Sequence, residues 1–121
     1  MSMSRASAAR ATSTVKSTKT TVCSGDDAAG RARKQRAVEA GALEVVVATM
    51  RAYPQMEGMQ GYGCDVLFSV CGGGDSAGAR ARRQRAAQAG GRTVAIAAMQ
   101  AHPGGGRVQD KGQLVLNALP A

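Results

Sequence analysis

The strongest constraint on this chain is a long internal repeat. The basic stretch at residues 31–41 returns almost unchanged at residues 80–90, so that eight of its eleven residues reappear 49 positions later. The same shift aligns further pairs well beyond this stretch: Val45 with Val94, Met50 with Met99, Pro54 with Pro103, Gln60 with Gln109, Gly63 with Gly112 and Leu67 with Leu116. A period of this length predicts a solenoid or an array, in which each unit buries its apolar face only against its neighbours.

The length of the chain, 121 residues, leaves room for two complete units. We expect a leader at residues 1–25, a first repeat at 26–74 and a second repeat at 75–121. The core should be thin, because much of the 44% hydrophobic content is alanine and the aromatic residues are only two Tyr and one Phe. Stacked repeats generally need about three units for stability. Two units therefore predict either a fragment of a longer array or a chain that self-associates.

The leader allows three interpretations, of which we take disorder as the first. It is rich in Ser, Thr and Ala and has no acidic residue before Asp26, a composition typical of disordered segments. Basic, hydroxylated N-termini are also typical of mitochondrial and chloroplast transit peptides, which would indicate import into an organelle. Residues 21–26 also resemble residues 69–75 with one deletion, so the leader alternatively ends in the last turn of an earlier repeat.

Each repeat should contain three helices, so the predicted fold class is all-α. In the first repeat, Asp26 or Asp27 is a suitable N-cap for a helix at about residues 28–40, which Gly41 ends in the left-handed conformation. A second helix at about 42–52 carries apolar residues at spacings of three and four and ends before Pro54. A third helix starts near Gln55 or Met56. The second repeat follows the same order, with smaller or more polar residues in its second helix.

The net charge of +8 and the pI of about 10.3 favour acidic partners, whether nucleic acid, an anionic membrane surface or an acidic protein segment. Two first helices packed roughly 10 Å apart would place eight cations on one edge, namely Arg31, Arg33, Lys34 and Arg36 with Arg80, Arg82, Arg83 and Arg85. The alternative is that these side chains only solvate exposed helix positions. The longest apolar run, residues 45–48, is far too short to cross a bilayer.

Residue types that carry catalysis or bind metals are sparse. Three cysteines without CxxC spacing indicate neither a disulfide scaffold nor a zinc site, and reduced thiols fit an intracellular, cytoplasmic or nuclear protein. His102 is the sole histidine, and we expect it to be structural. The glycine runs at 72–74 and 104–106 lack the Lys-Ser/Thr of a phosphate loop. We therefore expect no enzyme activity, no cofactor and no metal site.

Three stretches together resemble the armadillo repeat family: residues 35–47, 50–54 and 60–70. They read as a basic helix ending in Ala-Gly, an apolar helix closed before a proline, and a longer helix with small residues. The resemblance covers about residues 26–119 and implies an armadillo-like α-solenoid of about two three-helix repeats. In that family the third helices line a concave groove, where members mostly bind other proteins. The period of 49 exceeds the usual length, and a chain without Trp and with Asn117 as its sole Asn should not recognise nuclear-localisation peptides.

The resemblance implies a protein-interaction module whose partner is a protein or peptide with an acidic character. Candidate contacts are the polar and aromatic residues of the third helices and the most basic positions of the first helices: Gln60, Asp65, Phe68, Gln109 and Asn117 with Arg33, Lys34, Arg36, Arg82, Arg83 and Arg85. One alternative is a basic helical protein that binds nucleic acid, although few aromatic residues are present to stack on bases. Another alternative is a truncated repeat without a retained function.

Overall fold

The computed structural model of the chain describes residues 5–22, 28–71 and 77–120, with side chains at 9–17, 28–70 and 77–120. Within these ranges the protein is all-helical, which confirms the predicted all-α character. Seven helices are described: α1 (Arg5–Val22), α2 (Ala28–Glu39), α3 (Ala42–Ala52), α4 (Glu57–Cys71), α5 (Ala77–Gln88), α6 (Gly91–Ala101) and α7 (Gly106–Ala118). The predicted N-caps, Asp26 and Asp27, and the glycine run at 72–74 lie outside the described residues.

Glycine and proline end the helices where the sequence places them. Gly41 and Gly90 follow α2 and α5 with φ of 90° and 97°, a left-handed conformation that glycine adopts without a steric penalty. The helices α3 and α6 end at Ala52 and Ala101, two residues before Pro54 and Pro103. The two halves of the chain therefore have the same local structure, helix for helix.

Each helix of the first half packs beside its counterpart in the second half. We call α2–α4 the first layer and α5–α7 the second layer: α2 contacts α5, α3 contacts α6, and α4 contacts α7. The core lies mostly on one face each of α3, α4, α6 and α7, and its large, nearly inaccessible side chains include Leu43, Val46, Val47, Met50, Met59, Val66, Leu67, Val70, Val108 and Val115.

Two glycines bring the second and third helices of each layer close together. A Cβ added at Gly63 would lie 2.8 Å from Cγ of Met50, and one added at Gly112 would lie 2.7 Å from Cγ of Met99. These distances are far below van der Waals contact, so each methionine occupies the space that a side chain on the facing helix would need.

The leader differs from the disorder expected of residues 1–25, because residues 5–22 form α1, which packs along α4. The physical reason is an apolar pair at helical spacing: Val15 is completely buried in the core and Ala11 packs against it. The contact of Lys16 with Tyr62 in α4 recurs 49 residues later as the contact of Asp65 with Lys111. Thus α1 packs on α4 in the same register in which α4 packs on α7.

Candidate partner-binding surface

Two of the predicted contact residues, Gln60 and Gln109, cap helices. The side-chain amide of Gln60 is buried and donates from Nε2 to the carbonyl oxygens of Met50 (3.0 Å) and Tyr53 (2.9 Å) at the end of α3. Gln109 repeats this arrangement at the end of α6, donating to the carbonyls of Met99 (2.8 Å) and His102 (3.2 Å). Both amides satisfy carbonyls that the helix leaves without an intrahelical donor. In this structure their role is structural.

The expected edge of eight cations is only partly present. Lys34 and Arg82 are buried, and Arg82 donates from Nε to the carbonyl of Val70 (3.1 Å) at the end of α4 and from Nη1 to Gln35 (3.0 Å) on α2. Arg82 therefore holds helices together, and neither of these two side chains faces a partner. The two are not equivalent in the repeat, since Lys34 corresponds to Arg83 and Arg82 to Arg33, but each lies on a buried side of its helix.

The other predicted basic positions lie nearer the surface. Arg85 forms an ion pair with Glu44 of the first layer (2.8 Å), which links α5 to α3. Arg36 is exposed, and Arg33 and Arg83 are half-buried. Exposed or half-exposed cations on α2 and α5 thus remain, but they are separated by buried and ion-paired members of the same clusters.

A compact group of charged and aromatic side chains lies where α4 meets α7. Nη1 of Arg107 is 3.3 Å from Oδ2 of Asp65, and its guanidinium carbon is 5.1 Å from the centroid of the Tyr62 ring. The same arginine lies flat against α4, since a Cβ added at Gly61 would be 2.8 Å from its Cδ. Lys111 makes a second ion pair with Asp65 at 3.4 Å. Arg107 is therefore held on three sides, by an aromatic ring, a carboxylate and bare backbone.

Two further contacts extend this group along α4 and onto α1. Nζ of Lys16 lies 5.8 Å from the centroid of the Tyr62 ring, and Nζ of Lys111 lies 6.0 Å from the centroid of the Phe68 ring. We call the six side chains together the α4 face: Lys16, Tyr62, Asp65, Phe68, Arg107 and Lys111. The structure thus places two predicted residues, Asp65 and Phe68, in one surface with four that the sequence analysis missed.

The α4 face carries three cations against one carboxylate. Asp65 is only 9% exposed at its side chain, whereas Arg107 is 50% and Lys111 is 34% exposed. The negative charge is therefore beneath the surface and the positive charges are above it. Such an arrangement orients cations towards an incoming anion, and bonds between charged donors and carboxylates are stronger than neutral ones.

The repeat itself contains a signal for these missed residues. In the shift of 49, Lys16, Asp65 and Leu114 share one position of the third helix, and Tyr62 and Lys111 share another. Equivalent positions on neighbouring third helices lie side by side in a stack. A comparison of equivalent positions, made across the leader as well as the two repeats, would have grouped Lys16, Tyr62 and Lys111 with Asp65, whereas Arg107, the counterpart of Gly58, carries no such signal.

The remaining predicted residue of the third helices, Asn117, is exposed and lies apart from the α4 face. Its Oδ1 accepts from Gln113 Nε2 at 3.0 Å. It also lines a shallow cavity of about 450 Å³ beside Arg80 and Arg83 at the end of α7. A second cavity of about 190 Å³, between α3 and α6, is lined mainly by apolar side chains such as Met50 and Val94.

The sole histidine and one cysteine have structural surroundings. His102 follows α6 and its Nε2 donates to the carbonyl of Pro54 at 2.8 Å, which joins the two layers. Cys64 is buried, and burial, with a smaller contribution from the charge of Asp65, raises the pKa of its thiol to about 12. The Cys64 thiol is therefore protonated at neutral pH and is not a nucleophile there. The side chains of Cys23 and Cys71 lie outside those described.

Among the described residues, no group of three or more His, Cys, Asp or Glu side chains is placed to hold a metal ion. None of the described helices has the length and apolar composition needed to cross a membrane. No protein-family model, curated protein or solved structure matches this chain.

Proposed function

We propose that this protein is an armadillo-like α-solenoid module that binds an acidic segment of another protein on the α4 face. The observation that carries the proposal is the position of Arg107, half-exposed and held between Tyr62, Asp65 and the backbone at Gly61. A guanidinium fixed in this way loses little conformational freedom when it pairs with a carboxylate, because its side chain is already ordered.

The arrangement of third helices supports an extended peptide as the ligand. The helices α1, α4 and α7 lie side by side, and packed helices are about 10 Å apart, so the surface is roughly 20 Å across. An extended chain advances about 3.3 Å per residue, so about six residues would cross it. Tyr62 and Phe68 offer aromatic surface between the cations, which suits a peptide that alternates acidic and apolar residues.

Nucleic-acid binding is the weaker candidate because the basic edge on which it depends is divided. Lys34 and Arg82 are buried between helices, and Arg85 is paired with Glu44. A phosphate backbone requires a continuous row of accessible cations. The α4 face supplies three cations within a short distance, with a carboxylate among them, which suits a short acidic peptide better than a long polyanion.

The test is fluorescence anisotropy with the full chain and a labelled eight-residue peptide that alternates Glu and Phe. We expect Arg107→Gln to weaken binding about tenfold, the loss of one charge-assisted contact of roughly 1.5 kcal/mol. Arg80→Gln is the matched control, because it removes the same charge from an exposed position on α5. A peptide with Gln in place of Glu should bind at least tenfold more weakly.

Equal loss of affinity in Arg107→Gln and Arg80→Gln would show that only net charge matters, and it would overturn the α4 face as the site. A labelled single-stranded oligonucleotide serves as the competing ligand. If it binds more tightly than the peptide, and its affinity falls steeply with salt, the nucleic-acid alternative replaces the proposal.

A further inference from the structure

Among the described residues, the outer surface of the second layer is more exposed than the equivalent surface of the first layer. Val47 on α3 is almost inaccessible, but Ile96, its counterpart on α6, is 40% exposed. Asp65 on α4 is covered by Arg107 and Lys111, but its counterpart on α7, Leu114, is 36% exposed. The difference arises because the second layer covers the first, while no described element covers the second. We call this surface the open end.

The contacts between the two layers show which side chains bind to such a surface. Arg82 of the second layer reaches the carbonyl of Val70 and the amide of Gln35 in the first. The counterparts of those two acceptors, Leu119 and Gln84, line the cavity of about 450 Å³ at the end of α7. Within the second layer the carbonyl of Leu119 already accepts from Nη1 of Arg92 at 3.1 Å, so a second copy would meet this surface mainly through the exposed apolar side chains.

The opposite end of the molecule carries the complementary features. Val94 of α6 is 4% exposed beside Met50 and Arg51 of α3, but its counterpart Val45 is 51% exposed. Val45 has the largest exposure among the large hydrophobic side chains of the described residues. The first layer therefore presents, on its outer side, the apolar side chain whose counterpart covers the first layer.

We propose that a second copy of this chain covers the open end, with its first layer stacked on the second layer of its neighbour. The shift of 49 residues places Val45 of one copy beside Met99 and Gln100 of the other, and Ile96 against the turn at Gly41. At the junction, Leu114 of one copy takes the position of Asp65, and Tyr62 of the other copy takes the position of Lys111, which pairs with Asp65 within the chain. Both members of that pair are replaced by apolar or aromatic residues, so the junction remains complementary.

In this association the α1 of the second copy and the α7 of its neighbour compete for one position on the second copy's α4. Since α1 packs on α4 in the register in which α4 packs on α7, the incoming α7 takes the place of α1. Its apolar contact is small, because Val15 is its one fully buried hydrophobic side chain among those described. Its many Ser and Thr residues have lower helix propensity than Ala. Thus α1 acts as a displaceable cover that restrains association.

The junction is head-to-tail, so each added copy presents a new open end and growth continues beyond a dimer. The experiment is sedimentation velocity of the full chain in reducing buffer over a wide concentration range. We expect the weight-average mass to rise with concentration past that of a dimer. Val45→Asp and Ile96→Asp should each keep the protein monomeric, and both sites are exposed, so the fold should tolerate the substitutions.

An equimolar mixture of the two variants provides the decisive measurement. Each variant retains one intact end, and the two intact ends are complementary, so the mixture should form a dimer and stop there. Loss of association in Ile96→Asp alone, with Val45→Asp unchanged, would show a symmetric contact between open ends and overturn the proposal. A wild-type chain that stays monomeric at all concentrations would also overturn it.

Hydrogen exchange tests the displacement of α1 in the same samples. Exchange of the α1 amides should become faster as the mass rises, and Val15→Ala should shift association to about tenfold lower concentration. Circular dichroism of Val15→Ala at low concentration checks that the remaining helices are intact. If α1 is equally protected in the monomer and the assembly, the competition with α7 is excluded.

Discussion

Replacement of Gln60 by leucine separates a capping role from a binding role. Leucine keeps most of the volume of glutamine, so the main loss is the pair of hydrogen bonds to the carbonyls of Met50 and Tyr53. The equivalent change at Gln109 is the matched control, because that amide makes the same two bonds at the end of α6. The two positions differ in burial: Gln60 is buried, whereas Gln109 is half-buried.

The size of the effect follows from the number of bonds and their access to water. Each intramolecular hydrogen bond contributes about 1 kcal/mol net, and a buried carbonyl left without a donor costs about 1–3 kcal/mol. We therefore expect Gln60→Leu to lower the free energy of unfolding by about 2–3 kcal/mol. For Gln109→Leu we expect roughly 1 kcal/mol, because water can reach the partly exposed site and replace the amide.

The assay is urea denaturation followed by the helical circular dichroism signal, with peptide binding measured on the same samples. In a domain of this size 2–3 kcal/mol corresponds to a fall in Tm of roughly 6–12 °C. Affinity for the acidic peptide should be unchanged at temperatures where the variant is folded. A Gln60→Leu protein that keeps its stability within about 0.5 kcal/mol but loses peptide affinity would refute the capping role.

Three further predictions concern packing, pH and a buried cation. Gly63→Ala should destabilise the protein by about 1–3 kcal/mol in thermal melts, since the added Cβ would displace the buried Met50. Gly58→Ala is the control: its added Cβ meets no neighbouring atom, so it should stabilise the protein by up to about 0.5 kcal/mol. The pKa of the Cys64 thiol is raised to about 12 from an ordinary 9.0, so the unfolded chain loses this proton at a lower pH than the folded protein does. The stability of the wild type should therefore fall relative to that of Cys64→Ala as the pH rises from 9 to 12. A parallel decline in the stability of both proteins would contradict this prediction. Arg82→Ala should lower the free energy of unfolding by about 2–3 kcal/mol in urea titrations, and an unchanged midpoint would show that its bonds to the end of α4 contribute little.

Local structure was predictable from the sequence because local signals determine it. Gly41 and Gly90 stop their helices through a backbone conformation that other residues adopt with strain. Tyr53 ends α3 because it precedes Pro54. These effects act over a few residues and need no knowledge of neighbouring helices. The all-α class, the bounds of α2 and α3 to within one residue and the start of α4 to within two residues follow from them.

Side-chain roles were less predictable, because they depend on which side of a helix faces a neighbour. Gln60 and Asp65 share α4, yet one caps α3 and the other pairs with cations from α7. Charge alone suggested that Lys34 and Arg82 face solvent, and both are buried. The helix formed by residues 5–22 was likewise not expected, since its composition favours disorder and its packing partner, α4, is distant in the sequence.

By itself, the sequence determined the repeat, its period, the helix boundaries and the basic character, since each depends on composition or on residues a few positions apart. Only the tertiary structure decided that α1 packs on α4, that the paired glutamines cap helices, and that Arg107 meets Tyr62 and Asp65. Those outcomes depend on contacts between helices far apart in the chain. Their free energy comes from burial and charge pairing, which exist only once the layers have stacked.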